Sequence, residues 1–469
     1  MLFNQIEFIV LIIVIAAIFI LIRENRHRKL ILLVSSYYFY AYWDWRFLGL
    51  ILFSTIVDYF VAILIAKNET EKVRKIFLII SLTSNLGLLG FFKYFNFFID
   101  SLKVALGPLD VNLTTLNIIL PVGISFYTFQ TLSYTIDVYR RKLNPCYKFT
   151  DFALYVSFFP QLVAGPIVRA SDFLPQLTTP NKITLERVYG GFRQFVFGLF
   201  KKVFIADRIA YFVDHVFSNY DVYNGVTIWL AVIAFAIQIY CDFSGYSDMA
   251  IGIARGLGYD FPENFRLPYI SRSIIEFWRR WHISLSSWLR DYLYIPLGGS
   301  RKGSLRTYIN LSITMVLGGL WHGAAWNFII WGAIQGIALM INRWFVENVT
   351  FSLPLPSKLK DILGWFVTMN IVLISWVFFR STDYGLGQSL GILKKIFLSP
   401  LTGISWIHPF VLLTIGLLVL SHLIHKTQLR KFNDLVPTKL HSPVILVTML
   451  LMVVIFPAQT FNPFIYFQF

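Results

Sequence analysis

The chain has 469 residues, 57% of them hydrophobic, 18% aromatic and only 14% charged, with a formal net charge of +16. Soluble proteins carry about 25% charged residues, and a soluble fold of this composition would expose more apolar surface than a monomer normally does. The basic residues sit in short runs between apolar stretches, as in a positive-inside bias. No basic stripe marks a soluble face, so the charge argues for membrane topology and against nucleic acid as a partner.

The predicted elements are helical throughout, and the chain reads as one membrane bundle over residues 1–469. A crossing needs about 20 apolar residues. Phe8–Ile22 is a first span with its N-terminus outside, followed by the cytoplasmic cluster Arg23, Arg26, Arg28 and Lys29. Leu30–Trp43 leaves the cytoplasm and Phe47–Ala66 returns to a loop holding Lys67, Lys72, Arg74 and Lys75. Ile76–Phe98 leaves again, and Pro121–Tyr139 returns to Arg140, Arg141, Lys142 and Lys148. Phe152–Val168 is apolar but carries Pro160, Gly165 and Pro166, which break helices. It reads as a bent or re-entrant element, of the kind tolerated at membrane depth only inside protein or beside water.

Helices near Val188–Phe204 and Val222–Tyr240 follow. Arg255–Arg306 is basic and tryptophan-rich, and is expected on the cytoplasmic side. Thr307–Asn342 carries no formally charged residue. Its first part, Thr307–Leu317, would rise only about 17 Å as a helix, so the glycines after it are expected to break the helix inside the membrane, with His322 beside the break. Further spans are expected at Ile362–Phe379, near Pro409–Ile424 and near Val444–Phe456. Arg430, Lys431 and Lys439 put the last loop inside and the C-terminus outside. The total is roughly eleven spans plus re-entrant and interfacial pieces.

Of the eight histidines, His27, His215, His408, His422, His425 and His441 flank basic segments, linkers or helix ends and read as interfacial or packing residues. His322 differs. It lies in Gly318-Gly319-Leu320-Trp321-His322-Gly323, where an ionisable group is costly and by default functional. Imidazole titrates near neutral pH and accepts a proton from a hydroxyl. The glycines are expected to leave space for a substrate; a buried histidine bonded to a carbonyl is the alternative. His282 lies among Trp278, Arg279, Arg280, Trp281, Trp288 and Arg290, which look like a membrane-interface element. That accounts for the tryptophans and arginines but not for His282.

Other chemistries lack their motifs. No phosphate-binding loop, nucleophile elbow, H-E-x-x-H or C-x-x-C is present. Cys146 and Cys241 stand in unrelated contexts, and no metal is called for. Gly298-Gly299-Ser300-Arg301-Lys302-Gly303 is a basic turn able to meet phosphates, a weak signal.

Trp278–Gly299, followed by Gly319-Leu320-Trp321-His322-Gly323, resembles the membrane-bound O-acyltransferase family. The likeness is closest to its bacterial branch that O-acetylates polysaccharides such as alginate. Pro121–Gln130, Gly165-Pro166-Ile167-Val168-Arg169 and the ending Tyr466-Phe467-Gln468-Phe469 also look like that branch. The resemblance implies a multi-pass helical bundle around a central tunnel in a bacterial inner membrane. Acetyl-coenzyme A enters from the cytoplasm as the acyl donor, with no permanently bound cofactor. The family's membrane histidine maps onto His322 and the second motif histidine onto His282. His322 then acts as general base, while His282 orients the acceptor or binds near the thioester. Asn327 and Gln238 are the oxyanion candidates, and Arg279, Arg280 and Arg290 the candidates for coenzyme A phosphates.

An extracytoplasmic serine-dependent acetyltransferase is the implied partner and a polysaccharide the implied acceptor. Peptidoglycan O-acetylation and D-alanyl transfer to teichoic acid remain open. So does a different class, a proton-coupled transporter or flippase using His322 as a relay. That class would more often show paired carboxylates or an internal repeat; Asp58 and Asp242 are the only intramembrane carboxylates the sequence suggests. A third class, a structural scaffold for an export complex, predicts that both histidines are dispensable.

Overall fold

The structure is a computed structural model that describes residues 1–107, 113–179, 183–348, 355–428, 443–456 and 463–465, with backbone alone for 421–428. Arg430, Lys431, Lys439, His441 and Tyr466–Phe469 lie outside the described residues, as do the side chains of His422 and His425. Among the described residues every regular element is helical, apart from one isolated bridge between Tyr223 and Ile404.

Among the described residues five helical runs are long and apolar enough to cross a membrane: Asn25–Lys67, Glu71–Leu106, Gly225–Gly256, Trp326–Asn348 and Ser357–Tyr384. Ile6–Leu21, Pro409–Leu420 and Pro443–Ile455 are shorter apolar helices. Asn25–Lys67 holds two helices, Asn25–Asp44 and Leu48–Lys67, divided by the tight turn Trp45–Phe47. Phe149–Ser157 and Phe159–Leu162 are short, largely buried apolar pieces. Along Ser357–Arg380, Ile362, Phe366 and Val367 are exposed while Trp376 and Phe379 are buried. Large apolar side chains left uncovered in this way suit a lipid solvent.

The chain divides into two compact units. The first comprises Met1–Phe195 and Met249–Pro262. Here Leu48–Lys67, Glu71–Leu89 and Ile124–Tyr139 pack on one another. Asp58, fully buried between them, accepts hydrogen bonds from Ser81, from Asn85 at 2.9 Å and from Thr135 at 3.3 Å. The prolines and glycine of Phe152–Val168 break the backbone as their chemistry requires. Phe149–Ser157 ends, Phe159–Leu162 makes one turn, and the chain stays irregular to Ala170. Every residue from Phe152 to Val168 is buried. Gly123 starts Ile124–Tyr139 at φ 77, and a Cβ there would lie 2.6 Å from the carbonyl oxygen of Leu162.

The second unit comprises Val196–Asp248 and Glu263–Phe469. Its centre is a hairpin of Ser304–His322 and Trp326–Asn348. Gly319 meets Phe328, Gly332 meets Met315 and Val316, and Gly336 meets Ser312, so the helices run antiparallel. Small residues let such backbones close together where lipid supplies no hydrophobic drive. A Cβ on Gly332 would lie 2.4 Å from the Met315 carbonyl oxygen. The helix runs through Gly318-Gly319 and breaks only at Gly323. The same unit buries several charges. Lys202 Nζ lies 2.7 Å from Asp207 and 2.5 Å from Asp242, and Asp242 also accepts from the Ile465 N–H at 2.9 Å. Lys201 pairs with Asp248 and donates to Ser244 at 2.9 Å.

Candidate active site

His282 sits between two short helices. Ser273 caps the first, Ile274–Arg280, by accepting from the Glu276 N–H at 3.1 Å, a favourable helix start. The second is Ile283–Leu289. His282 joins them with φ 43 and ψ 56, a left-handed conformation that non-glycine residues adopt at a cost and that clusters at functional sites.

Asn264 holds the corner. Its carbonyl oxygen accepts from the Ile283 N–H at 2.9 Å. Its side-chain oxygen accepts from the Ser284 N–H at 3.2 Å and the Ser284 hydroxyl at 2.9 Å, and its amide donates to Ser247 at 3.1 Å. The same oxygen lies 3.3 Å from His282 Nδ1. A backbone N–H can only donate, so that atom is an oxygen and Nδ1 carries the proton, which makes Nε2 the lone-pair nitrogen. Burial pushes the His282 imidazole down to about 3, so it is neutral at ordinary pH.

His322 ends Ser304–His322, and its side chain is 4% exposed. Rings enclose it: Trp331 at a centroid distance of 5.0 Å, Phe379 at 5.3 Å and Phe328 at 6.4 Å. Trp321 stands 5.1 Å from His322 and 5.8 Å from His282. One indole therefore touches both imidazoles, although some 40 positions separate them in the sequence. The neighbouring glycines do not leave room for a substrate as expected. A Cβ on Gly323 would fall 2.1 Å from the Phe328 ring, and one on Gly319 2.2 Å from its carbonyl oxygen. They seat Phe328 beside the histidine.

Residues 30–380 match the family model described as MBOAT, membrane-bound O-acyltransferase family. The chain belongs to this family. It is 39% identical over 464 residues to a Pseudomonas putida protein named "Probable alginate O-acetylase AlgI", covering 92% of each chain. It is 39% identical over 399 residues to the Helicobacter pylori "Peptidoglycan O-acetyltransferase", covering 79% of this chain and 73% of that one. The Bacillus subtilis "Teichoic acid D-alanyltransferase" is 26% identical over 286 residues, covering 57% and 70%. Family and relatives together make this chain a multi-pass membrane O-acyltransferase.

The remaining sequence candidates distribute unevenly in the acyltransferase. Arg279 and Arg290 are exposed. Arg290 pairs with Asp291 at 2.7 Å and Arg280 with Glu276 at 2.8 Å. Arg301 and Lys302 are exposed beside Gly298 and Gly299, whose turn is tied by the Asn310 amide donating to the Gly299 carbonyl at 2.9 Å. Trp281 and Trp288 are buried, and Trp278 donates to Gln335 at 3.1 Å. These tryptophans fill the interior of the unit, where large rings gain most from burial, and do not face outward as an interface belt.

Asn327 spends its amide on the Phe378 carbonyl at 3.1 Å and Ser389 at 3.0 Å. That ties helices together and leaves its N–H groups committed, contrary to the oxyanion role expected. Gln238 is buried on Gly225–Gly256, with a side-chain oxygen that has no donor among the described residues. That unmet group is an acceptor, not the donor an oxyanion needs. His27 pairs with Glu24 at 2.9 Å; His215 is exposed, and His408 packs on Phe212 and Trp406. Among the described residues no three His, Cys, Asp or Glu side chains gather as a metal site.

Sequence reasoning missed Asn264 and the buried Lys201, Lys202, Asp207 and Asp248. Two adjacent lysines inside the apolar run Phe195–Ala206 were the available signal for the latter.

Proposed function

We propose that this acyltransferase takes an acetyl group from cytoplasmic acetyl-coenzyme A and passes it across the inner membrane for O-acetylation of an extracellular polysaccharide such as alginate. An extracytoplasmic serine-dependent protein receives the group. The observation that carries the reading is the pair His282 and His322, both buried and both in contact with Trp321.

A thioester is already activated, so the protein need only deprotonate and position a hydroxyl. His322 takes the hydroxyl proton as the oxygen attacks the carbonyl carbon. The C–O bond forms, the carbonyl becomes an oxyanion, and its collapse breaks the C–S bond. The departing thiolate takes the proton from His322, leaving ester and free coenzyme A. General base catalysis of this kind contributes typically about 10²–10⁴-fold. His282, held neutral with Nε2 as acceptor, holds the acyl donor near the thioester by accepting from one of its amide N–H groups. The exposed Arg279 and Arg290 meet phosphates of the donor by charge-assisted hydrogen bonds. The names of the relatives support the acetyl group and the alginate acceptor.

The test is release of coenzyme A from acetyl-coenzyme A by purified protein, compared with a His322→Gln variant of similar side-chain length. The expected result is turnover by wild type and loss of at least about 10²-fold in the variant, with the melting temperature nearly unchanged. A well-folded His322→Gln protein with normal turnover ends the assignment. Tight binding of an acyl-carrier protein with no affinity for acetyl-coenzyme A would turn the reading toward D-alanyl transfer.

A further inference from the structure

The indole N–H groups of Trp331 and Trp376 are buried, each side chain 1% exposed, and neither has a hydrogen-bond acceptor among the described residues. Two other tryptophans of the same unit have acceptors. Trp278 donates to Gln335 at 3.1 Å and Trp365 to the Tyr269 carbonyl at 2.8 Å. Buried indole N–H groups usually find a partner, and leaving one unmet costs free energy unless something else supplies the acceptor.

Trp331 is the one of the two that faces the histidine. Its ring and the His322 imidazole stand at 86° with centroids 5.0 Å apart. Trp376 lies one layer back, stacked on Trp331 at 22° and 5.9 Å. Asn327, Trp331 and Gln335 follow one another at four-residue spacing, so they share a face of Trp326–Asn348. Asn327 is tied to Phe378 and Ser389, and Gln335 donates to Ser375 at 2.8 Å. The middle position of that face alone presents a donor with no protein acceptor among the described residues. The helix is fixed by the close approach of Gly332 and Gly336 to the neighbouring backbone, and Phe379 packs against both Trp331 and His322 at 5.6 and 5.3 Å. The donor is therefore rigid before any substrate arrives.

An indole N–H can only donate. Its partner is an acceptor atom carried on a group small and apolar enough to fit among the rings around Trp331, which are Trp278, Trp376 and Phe379. The carbonyl oxygen of a short acyl thioester meets both conditions.

We propose that Trp331 is a catalytic residue: its indole N–H binds the carbonyl oxygen of the acyl thioester and holds the oxyanion while His322 moves the proton. The inference rests on the acyl-transfer reading above. A donor fixed before the reaction and aimed where charge develops is the most effective kind, because nothing reorganises as the charge appears.

The test uses the full-length purified chain with acetyl-coenzyme A, measuring coenzyme A release into water alone and into added glycerol. Two variants are compared. Trp331→Phe removes the N–H, and benzothienylalanine at position 331 replaces it with sulfur at nearly constant shape. Both should lower kcat by about 10²-fold or more in both arms, with KM for acetyl-coenzyme A nearly unchanged, because water and glycerol attack the same carbonyl. If Trp331→Phe does not fold, the benzothienyl variant decides. A folded variant with wild-type kcat overturns the proposal. So does a loss confined to the glycerol arm, which would mean Trp331 positions the acceptor. If His322→Gln is inactive while both Trp331 variants are normal, this inference alone fails. If wild type releases no coenzyme A, or His322→Gln is fully active, the acyl-transfer reading fails and takes this inference with it.

Discussion

The side-chain oxygen of Asn264 lies 3.3 Å from His282 Nδ1 while accepting two hydrogen bonds from Ser284. One carboxamide thus sets the tautomer of a buried histidine and the backbone that carries it. Replacing Asn264 with Ala should leave the Ser284 N–H and His282 Nδ1 without their acceptor, at a cost of about 1–3 kcal/mol. Turnover should fall with it. Asn264→Asp separates orientation from stability. A carboxylate beside Nδ1 favours the imidazolium, so the pH–rate profile should gain a group titrating well above the value burial imposes. An unshifted profile in a folded Asn264→Asp protein would remove Asn264 from any role in tuning His282.

Burial also makes His282 a source of acid sensitivity. Its imidazole is held down to about 3, against about 6.5 in an unfolded chain. Between those values the unfolded chain binds a proton that the folded chain does not. Stability is therefore fully present above pH 6.5 and falls as the pH drops toward 3, by up to about 1.4 kcal/mol per pH unit. Melting temperatures of detergent-solubilised protein between pH 7.5 and 5 should show the decline, and His282→Gln should flatten it. Parallel curves for the two proteins would contradict this.

Lys202 stands between Asp207 at 2.7 Å and Asp242 at 2.5 Å, all three buried. Removing one partner of a buried ion pair strands the other and costs about 3–5 kcal/mol. Lys202→Met should therefore lower yield and melting temperature sharply. Adding Asp242→Asn should restore part of the loss, since one stranded charge is neutralised. A single variant as stable as wild type would show that this cluster contributes little to the fold.

The Gly332 contact offers a test of the hairpin that needs no activity. A methyl there would fall 2.4 Å from the Met315 carbonyl oxygen, backbone that cannot move aside cheaply. Gly332→Ala should cost about 1–3 kcal/mol. Gly387 meets nothing within 4 Å, so Gly387→Ala should leave stability unchanged or slightly raise it. Equal melting temperatures for the two variants would argue against the close helix approach.

His322→Ala differs from His322→Gln. The sequence suggests a histidine beside space for a substrate, whose truncation would leave little packing unmade. The imidazole is instead packed among Trp321, Phe328, Trp331 and Phe379. Truncation should open a cavity and cost about 2–5 kcal/mol of stability. Thermal melting of the two variants side by side reads the difference.

By itself the sequence determined the helical membrane class, the approximate position of each span, and His282 and His322 as the residues to watch. Apolar runs and basic loops are local properties, and a titratable group in an uncharged stretch stands out without any partner. It could not show which apolar stretches build short buried helices. Nor could it show that Gly319 and Gly323 are filled by Phe328, that Trp281 and Trp288 face inward, that Asn327 is committed to other helices, or that Asn264 reaches His282. Each of those depends on which side chain arrives from a distant part of the chain. Packing between distant segments decides that, and no local pattern of hydropathy or charge records it.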